Sequence, residues 1–237
     1  MNIVRYVLGG ALVGYGALQI LGRQAGSTAP ERRTRLAGDE LVARPQMRTI
    51  HAVTIEAPPD QVWPWLTQMG WHLGGYYTPE WVDRLFPKNW SSLAHLDPAL
   101  LRDLRVGDII PDGAPGTAWY VVVEVEPSHV LVLRSTTHLP PGWGEKYGAR
   151  IDWTWSFRLA ELPGGRTRLQ SRVRGRTEPW WLTATYLATI VPADSVMAVG
   201  MLRGIKRRIE SAVPMQSSGR SPLAAESAVL EAITNGS

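Results

Sequence analysis

The sequence contains no cysteine and little lysine or phenylalanine: of its 237 residues, three are Lys and two are Phe. The absence of cysteine excludes disulfide bonds, thiolate nucleophiles and metal sites built on Cys. The formal net charge is +4, and no run of Lys and Arg is interleaved with aromatic residues. Nucleic-acid binders usually carry a concentrated basic patch. The composition therefore predicts no nucleic-acid partner and no thiol chemistry.

Motifs for catalysis and metal binding are also missing. No G-x-S-x-G, P-loop or G-x-G-x-x-G pattern occurs. Glu80 and Asp83 lie three residues apart on a predicted short helix, but exposed carboxylates of this kind are common and we assign them no catalytic role. We therefore predict no catalytic residue, no metal and no cofactor, and favour a non-enzymatic protein. The histidines, none of them at metal-site spacing, are His51, His72, His95, His129 and His138.

An apolar run opens the chain, from Asn2 to Leu21, and is interrupted only by Arg5 and Gln19. A membrane-spanning helix needs about 20 apolar residues. We predict a transmembrane anchor over residues 1–22, with a cleaved signal peptide and a helix packed on the domain as the alternatives. The signal peptide is the weaker alternative, because no clear A-x-A cleavage site follows the run.

Arginines around the apolar run set its predicted orientation. Several follow it, whereas its N-terminal end has Arg5 and the amino terminus, and an excess of Lys and Arg marks the cytoplasmic flank of a span. We therefore predict a single-pass membrane protein with its domain in the cytoplasm. The predicted organisation is an anchor at 1–22, an Arg-rich linker at 23–37, a folded domain at 38–213 and a disordered tail at 214–237.

Period-two alternation of apolar residues predicts six β-strands. Along Arg150–Leu159 every second residue is apolar, which is typical of a strand with one buried face. Strands of this kind predict an antiparallel sheet that is covered on one side only. The predicted strands are Thr49–Glu56, Val106–Pro111, Ala118–Glu126, His129–Arg134, Arg150–Leu159 and Arg166–Arg176.

The outward face of the last predicted strand is rich in arginine. We expect a solvated face whose arginines pair with nearby Asp152 or Glu124, and the alternative is contact with membrane phosphates or with an acidic partner. The outward arginines are Arg168, Arg172, Arg174 and Arg176.

A long apolar segment follows the sheet. The stretch 180–191 is apolar almost throughout, Pro192 interrupts the pattern, and the stretch 194–211 keeps one apolar face. Because Asp194 is its one charge before Arg203, the segment has the composition of a second membrane span. We predict instead a helix that covers the sheet, since the inner face of such a helix must be apolar.

A predicted strand is followed by a proline turn and a short amphipathic helix in the stretch Ala57–Gly70 (APPDQVWPWLTQMG). This arrangement resembles the opening of a START-like domain of the SRPBCC (polyketide cyclase/dehydrase) superfamily. Gly74–Phe86 (GGYYTPEWVDRLF) and Leu202–Glu210 (LRGIKRRIE) carry the same resemblance, which covers roughly 38–213. The resemblance implies an α+β helix-grip fold, in which a curved antiparallel β-sheet wraps around a long C-terminal helix, here with an N-terminal transmembrane helix added.

START-like proteins use the space between sheet and helix for hydrophobic ligands, and the resemblance implies the same here. We expect a membrane-anchored carrier of a lipid-like or aromatic molecule; the alternatives are a polyketide cyclase/dehydratase-like enzyme that uses the same cavity and an interaction module whose cavity is filled. The Gly74–Gly75 hinge within Trp71–Trp81 is the expected mouth. The predicted ligand-binding residues are Trp65, His72, Tyr76, Trp81, Trp119, Trp153, Trp155 and Phe157.

Overall fold

A computed structural model describes residues 2–20, 22–84 and 92–212. Its six strands are β1 (Met47–Ile55), β2 (Ile109–Pro111), β3 (Trp119–Glu126), β4 (Val130–Ser135), β5 (Arg150–Leu162) and β6 (Arg166–Glu178). They form one sheet in the order β1-β6-β5-β4-β3-β2, and every neighbouring pair is antiparallel. The six strands match the six predicted segments, so the predicted antiparallel sheet is confirmed. The predicted tail at 214–237 lies outside the described residues.

The hairpin of β5 and β6 is the longest part of the sheet. The two strands have 13 residues each and pair along their whole length. In the turn between them, Gly164 and Gly165 take φ angles of 84° and 67°, a left-handed conformation that glycine adopts without steric cost. Both strands are longer than predicted, since β5 continues to Leu162 and β6 to Glu178. Together with β4, the hairpin forms the middle of the sheet.

Helices cover both ends of the sheet and its inner face. A π-helical turn, Tyr186–Ile190, joins α6 (Trp180–Thr185) to α7 (Val191–Ala212) within one continuous helical segment. Pro192 comes directly after this turn, and the segment stays helical past it. The predicted short helix that carries Glu80 and Asp83 is present over those residues. The α-helices are α1 (Asn2–Ile20), α2 (Ala29–Arg33), α3 (Pro59–Thr67), α4 (Glu80–Asp83), α5 (Trp143–Tyr147), α6 (Trp180–Thr185) and α7 (Val191–Ala212).

α7 packs across the inner face of the sheet. Its buried residues Leu202, Ile205 and Ile209 belong to the same core as Leu169 and Val173 of β6. Burial of one such side chain stabilises a fold by about 1.5–3 kcal/mol. The sheet therefore encloses a long C-terminal helix, as the helix-grip prediction requires.

One helical segment of the described residues is long and apolar enough to cross a membrane, Trp180–Ser211. This segment contains α7, whose apolar face lies in the protein core, and it is the predicted cover of the sheet. The N-terminal transmembrane helix of the predicted architecture is not supported by length and composition over the described part of the chain.

The outer face of the sheet carries the N-terminal segment, residues 22–46. The guanidinium of Arg172 in β6 is buried there and donates to Asp39 Oδ2 at 2.6 Å. It also donates to the backbone carbonyls of Thr34 and Glu31, each at 2.9 Å. The segment predicted as an Arg-rich linker thus contributes backbone acceptors to a buried ionic site.

Two further outward arginines bind the same segment. Arg168 donates to both carboxylate oxygens of Glu31, at 2.7 and 2.9 Å, and this hydrogen bonding lowers the pKa of Glu31 to about 2. Arg174 donates to the carbonyl of Val42 at 2.9 Å. The predicted partner Asp152 is instead bound by Arg134. The expectation of a solvated arginine face is therefore wrong for the centre of β6, where alternate arginines bind another segment of the same chain.

Candidate functional site

A cavity of about 440 Å³ lies between the inner face of the sheet and the C-terminal helical segment. Strands β3 and β5 line one side, and the π-helical turn and α7 line the other. A volume of this size suits a small organic ligand. The aromatic and ionisable lining residues are Tyr76, Asp112, Tyr120, His138, Trp153, Trp155, Tyr186 and Asp194.

Aromatic side chains form a continuous wall of the cavity. Strand alternation places Trp153 and Trp155 of β5 on the inner face together. The ring of Trp155 is stacked against Tyr76 with centroids 6.0 Å apart, and it lies 5.5 Å from the ring of Tyr120. The indole nitrogen of Trp155 donates to Ser171 Oγ at 2.8 Å, which fixes the ring in the wall.

An Asp–His pair lies in this wall. His138 Nε2 is 2.7 Å from Asp112 Oδ2, and His138 Nδ1 is 2.7 Å from Ser135 Oγ. The ring of Tyr120 lies against the imidazole, with centroids 4.6 Å apart. Both imidazole nitrogens therefore have partners within the protein.

Asp194 of α7 is the second carboxyl group of the cavity. Its Oδ2 accepts a hydrogen bond of 3.5 Å from Thr49 Oγ1. No Lys, Arg or His among the described residues forms an ion pair with it. Burial raises the pKa of Asp194 from 3.8 to about 7, and the negative charge of Asp112 acts in the same direction.

Two tyrosines of the wall are neutral hydrogen-bonding groups. Burial, reinforced by the charge of Asp112, raises the pKa of Tyr76 and of Tyr120 well above 10. The hydroxyl of Tyr76 donates to the carbonyl of Pro111 at 3.0 Å. These phenols therefore keep their protons at neutral pH and can orient a ligand without adding charge.

The opening of the cavity lies between the 112–118 turn, the segment after β4 and the π-helical turn. The exposed lining residues Thr117, Pro140 and Ile190 mark it. Across this opening the hydroxyl of Tyr186 donates to the carbonyl of His138 at 2.5 Å. This hydrogen bond connects the π-helical turn to the segment after β4 beside the entrance.

The predicted mouth at Gly74–Gly75 is a closed turn. Gly70 and Gly75 form an antiparallel bridge, and the N–H of Gly74 donates to the carbonyl of Gln68 at 2.7 Å. Both glycines are buried, and Gly75 has a φ angle of 76°. The Gly-Gly pair therefore makes a tight structural turn, and the opening that the structure has is elsewhere.

Three of the eight residues predicted for the site line the cavity: Tyr76, Trp153 and Trp155. Two others, Trp65 and Phe157, are 4% and 1% exposed and belong to the core beside the cavity. The ring of Phe157 lies 4.8 Å from that of Trp155 and supports it from behind. The strand periodicity thus identified the correct face of β5.

The other three predicted residues, Trp119, His72 and Trp81, are not among the lining residues of this cavity. His72 is exposed beside Trp71, and Trp81 is 57% exposed on a short surface helix. Trp119 is replaced in the wall by Tyr120. The reason is a bulge between Val122 and Glu124 of β3, which reverses the facing of residues on its two sides.

Sequence reasoning missed Asp112, Tyr120, His138, Tyr186 and Asp194. Asp194 was visible as the one charge in an apolar helix. Asp112 directly follows one predicted strand and His138 lies four residues after the end of another, but the two are 26 residues apart. Their hydrogen bond depends on how two loops meet, which no local pattern encodes.

Two other arrangements of ionisable groups in the described part of the chain were considered, a metal-ligand cluster and the acid pair on α4. The described residues contain no group of three or more His, Asp or Glu side chains that could hold a metal. Asp83, half of the acid pair considered on sequence, accepts hydrogen bonds from Thr78 Oγ1 and from the N–H of Ser92. Its carboxylate therefore holds a loop in place.

No protein-family model matches the chain, and no curated protein matches it significantly. Among solved structures it is similar to protein MLL2253 from Mesorhizobium loti, at 17% identity over 71% of this chain and 100% of that one, with a TM-score of 0.42. It is similar to hypothetical protein jhp0584 from Helicobacter pylori, at 13% identity over 73% and 94%, with a TM-score of 0.44. CalU16 from Micromonospora echinospora is similar at 20% identity over 69% and 84%, with a TM-score of 0.33.

These likenesses are distant, and none of the three descriptions states a ligand or a reaction. The fold assignment rests on the architecture of this chain: an open antiparallel sheet of six strands, a long C-terminal helix packed across it, and a cavity between the two. The chain accordingly has the helix-grip architecture of the START-like (SRPBCC) superfamily that its sequence resembles.

Proposed function

We propose that the chain is a binding or carrier protein that encloses a hydrophobic small molecule, lipid-like or aromatic, in the helix-grip cavity. The observation that carries the proposal is the cavity of about 440 Å³ with five aromatic side chains in its wall. Such walls bind ligands mainly by removing apolar area from water. The polar groups among them give the ligand an orientation.

We extend the proposal to the membrane surface through α1. Leu12 and Val13 are 71% and 74% exposed, and a Cβ added at Gly10 or Gly14 would meet no atom within 4 Å. An apolar helix face this exposed calls for a partner, and the partner that we propose is a bilayer. In this proposal α1 is a single-pass anchor and the domain lies on the cytoplasmic side.

The contacts of α1 support an anchor that lies next to the cavity. Tyr15 Oη donates to the carbonyl of Ala188 at 2.6 Å, and Gln19 Nε2 donates to the carbonyl of Leu187 at 2.7 Å. Both carbonyls belong to the π-helical turn, whose Tyr186 and Ile190 line the cavity. A ligand that partitions into a bilayer would therefore enter close to the anchor.

The binding proposal predicts that Trp155→Ala has a large effect on the affinity for a neutral aromatic probe and a smaller effect on the free energy of unfolding. The full chain, held in phosphatidylcholine nanodiscs, is titrated with naphthylmethanol by calorimetry, with empty nanodiscs as the blank. Loss of the stacked indole should raise Kd by about tenfold or more. The control Phe157→Ala, behind the wall, should cost about 3–5 kcal/mol of stability. Equal stability losses in the two variants, or no binding by the wild type, would count against the proposal.

The membrane proposal predicts that the double variant Leu12→Arg, Val13→Arg releases the chain from lipid. The assay is flotation with phosphatidylcholine–phosphatidylglycerol vesicles, in which most of the wild type should float and most of the variant should remain in the aqueous fraction. The reason is that each arginine costs about 2.5–3.5 kcal/mol in the middle of a spanning helix. Val106→Arg, which changes a residue 66% exposed and distant in sequence, is the matched control and should float like the wild type. Equal flotation of all three proteins would remove α1 as the anchor.

A second candidate, a polyketide cyclase/dehydratase-like enzyme, has one observation in its favour. The Asp112–His138 pair lies in the cavity wall, and a carboxylate hydrogen-bonded to an imidazole is a common proton-transfer pair. The two candidates differ in the fate of a bound molecule. Mass spectrometry of compounds that co-purify, before and after incubation, would show an unchanged mass for a carrier and a loss of water for a dehydratase.

A further inference from the structure

The charge of the cavity is opposite to that of the chain. The chain has a formal net charge of +4, whereas the lining contains two carboxyl groups, Asp112 and Asp194, and no Lys or Arg. Asp112 has an internal donor in His138, at 2.7 Å. Asp194 has only the long hydrogen bond from Thr49 at 3.5 Å. The cavity thus contains one carboxyl group that lacks a cation within the described part of the protein.

A carboxylate in an apolar, aromatic surrounding is costly unless a cation or several donors accompany it. Thr49 supplies a single donor, and no charged residue lies within one helical turn of Asp194 along α7. A cation on the molecule in the cavity would supply the missing partner. The faces of Trp153 and Trp155 add to this preference, because indole attracts cations more strongly than the other aromatic rings do.

We propose that the ligand of this cavity is a hydrophobic amine, whose ammonium group binds the carboxylate of Asp194 while its apolar body packs against Trp153 and Trp155. The inference rests on the proposed binding function and adds the chemical class of the ligand. It assigns the two carboxyl groups different roles: Asp112 orients His138, and Asp194 recognises the cation. The nearby charge of Asp112 strengthens the field that attracts the cation.

Protonation of Asp194 gives the proposal a pH signature. Its carboxyl has a pKa of about 7 in the empty cavity, and an ammonium ligand binds the ionised form. Below pH 7 a proton competes with the ligand, and Kd should rise by about tenfold for each further pH unit. The titratable groups that face Asp194 across the cavity are Asp112, His138, Tyr76, Tyr120 and Tyr186.

Three probes of one shape test the inference: naphthylmethylamine, naphthylmethanol and naphthylacetate, titrated into the full chain in phosphatidylcholine nanodiscs at pH 8. The amine should bind about ten- to a hundredfold more tightly than the alcohol, as expected for a hydrogen bond between charged groups, and the acetate more weakly than either. At pH 5.5 the advantage of the amine should fall to about threefold or less, whereas the affinity of the alcohol should stay the same.

The variant Asp194→Asn should bring the amine to the affinity of the alcohol and leave the alcohol within about twofold of the wild type. Asp152→Asn, at a carboxylate paired with Arg134 outside the cavity, is the matched control and should change neither probe. The Asn variant is expected to fold, because ionisation of Asp194 above pH 7 opposes folding and an amide removes that penalty. Thermal unfolding at pH 8 checks this.

The outcomes separate the inference from the function on which it rests. If the alcohol binds and the amine has no advantage, the amine inference is overturned while the carrier proposal survives. The same holds if the alcohol binds better at pH 5.5 than at pH 8, since Asp194 would then act as a neutral donor to an oxygen. If none of the three probes binds the wild type at either pH, the carrier proposal itself fails and the inference falls with it.

Discussion

Replacement of Gly204 by alanine is expected to destabilise the protein by roughly 3–5 kcal/mol, at or beyond the upper end of the usual cost of overpacking a core. A Cβ at this position of α7 would overlap the backbone carbonyl oxygen of Tyr77. Tyr77 cannot move away easily, because it is fully buried and its hydroxyl donates to the carbonyl of Trp65 at 2.8 Å. Its ring also packs edge-on against Trp65, with centroids 5.4 Å apart.

The same close approach connects Gly204 to the cavity. One turn earlier, a Cβ on Gly200 would come within 2.5 Å of Pro79 Cδ, so two glycines on one face of α7 accommodate the loop 77–79. That loop is continuous with Tyr76, and both Tyr76 and Thr78 line the cavity. A side chain at Gly204 that displaces the loop should therefore also weaken the naphthylmethanol binding expected of the wild type.

Urea unfolding, monitored by tryptophan fluorescence, measures the effect of Gly204→Ala. Gly14→Ala is the matched control, because Gly14 also lies in a helix and a Cβ there meets no atom within 4 Å. The control should be neutral or more stable by up to about 1 kcal/mol, the helix propensity of alanine over glycine. A loss of less than about 1 kcal/mol for Gly204→Ala would show that α7 and the loop are not tightly packed.

The sheet was predictable because its signal is local. Along β5 every second residue is apolar, so periodicity alone placed Trp153 and Trp155 on the inner face. The same reasoning failed on β3, where Val121, Val123 and Val125 suggest one face and the bulge near Val123 changes the facing. A bulge inserts one residue into the alternation, and its position depends on the partner strand.

The cover of the outer face was not predictable from periodicity. Alternation identified correctly that the outward arginines of β6 point away from the core, and charge then suggested solvent. Arg168 and Glu31, whose side chains bond at 2.7 Å, are 137 residues apart in sequence. The sequence pattern of a polar sheet face is the same whether water or a distant polar segment covers it, because either one can accept hydrogen bonds from the arginine side chains.

The polar part of the site was missed for a related reason. Asp112 and His138 come from loops at the ends of β2 and β4, which are not neighbours in the sheet. Loops place functional groups through tertiary contacts rather than through a repeating pattern. Asp194 differs, since a single charge in an apolar helix is a local signal. Its meaning became clear from the cavity lining, in which none of the described residues is a Lys or Arg.

Arg172→Ala is the second substitution from which we expect a large effect, a loss of about 3–5 kcal/mol. The guanidinium is fully buried and donates to Asp39 and to the carbonyls of Thr34 and Glu31. Its removal leaves the carboxylate of Asp39 with the Leu36 N–H at 3.0 Å and the longer contact to Arg174 at 3.5 Å, and it leaves two carbonyl oxygens without their donors. Removing one partner of a buried ion pair in this way is the costly case. The double variant Arg172→Met, Asp39→Asn should recover part of the loss, because it removes both charges.

Arg176→Ala is the matched control on the same strand. Arg176 is half-exposed and pairs with Glu178 at the surface, so its removal should change the free energy of unfolding by no more than about 0.5 kcal/mol. If Arg172→Ala costs as little as Arg176→Ala, the outer face of β6 behaves as solvated and the N-terminal segment is not docked on it. If the predicted loss is observed, Glu31 and Thr34 contribute to stability, and the folded unit begins well before residue 38. A chain cut at residue 22 should then unfold at higher urea than one cut at residue 37, which would lack both acceptors.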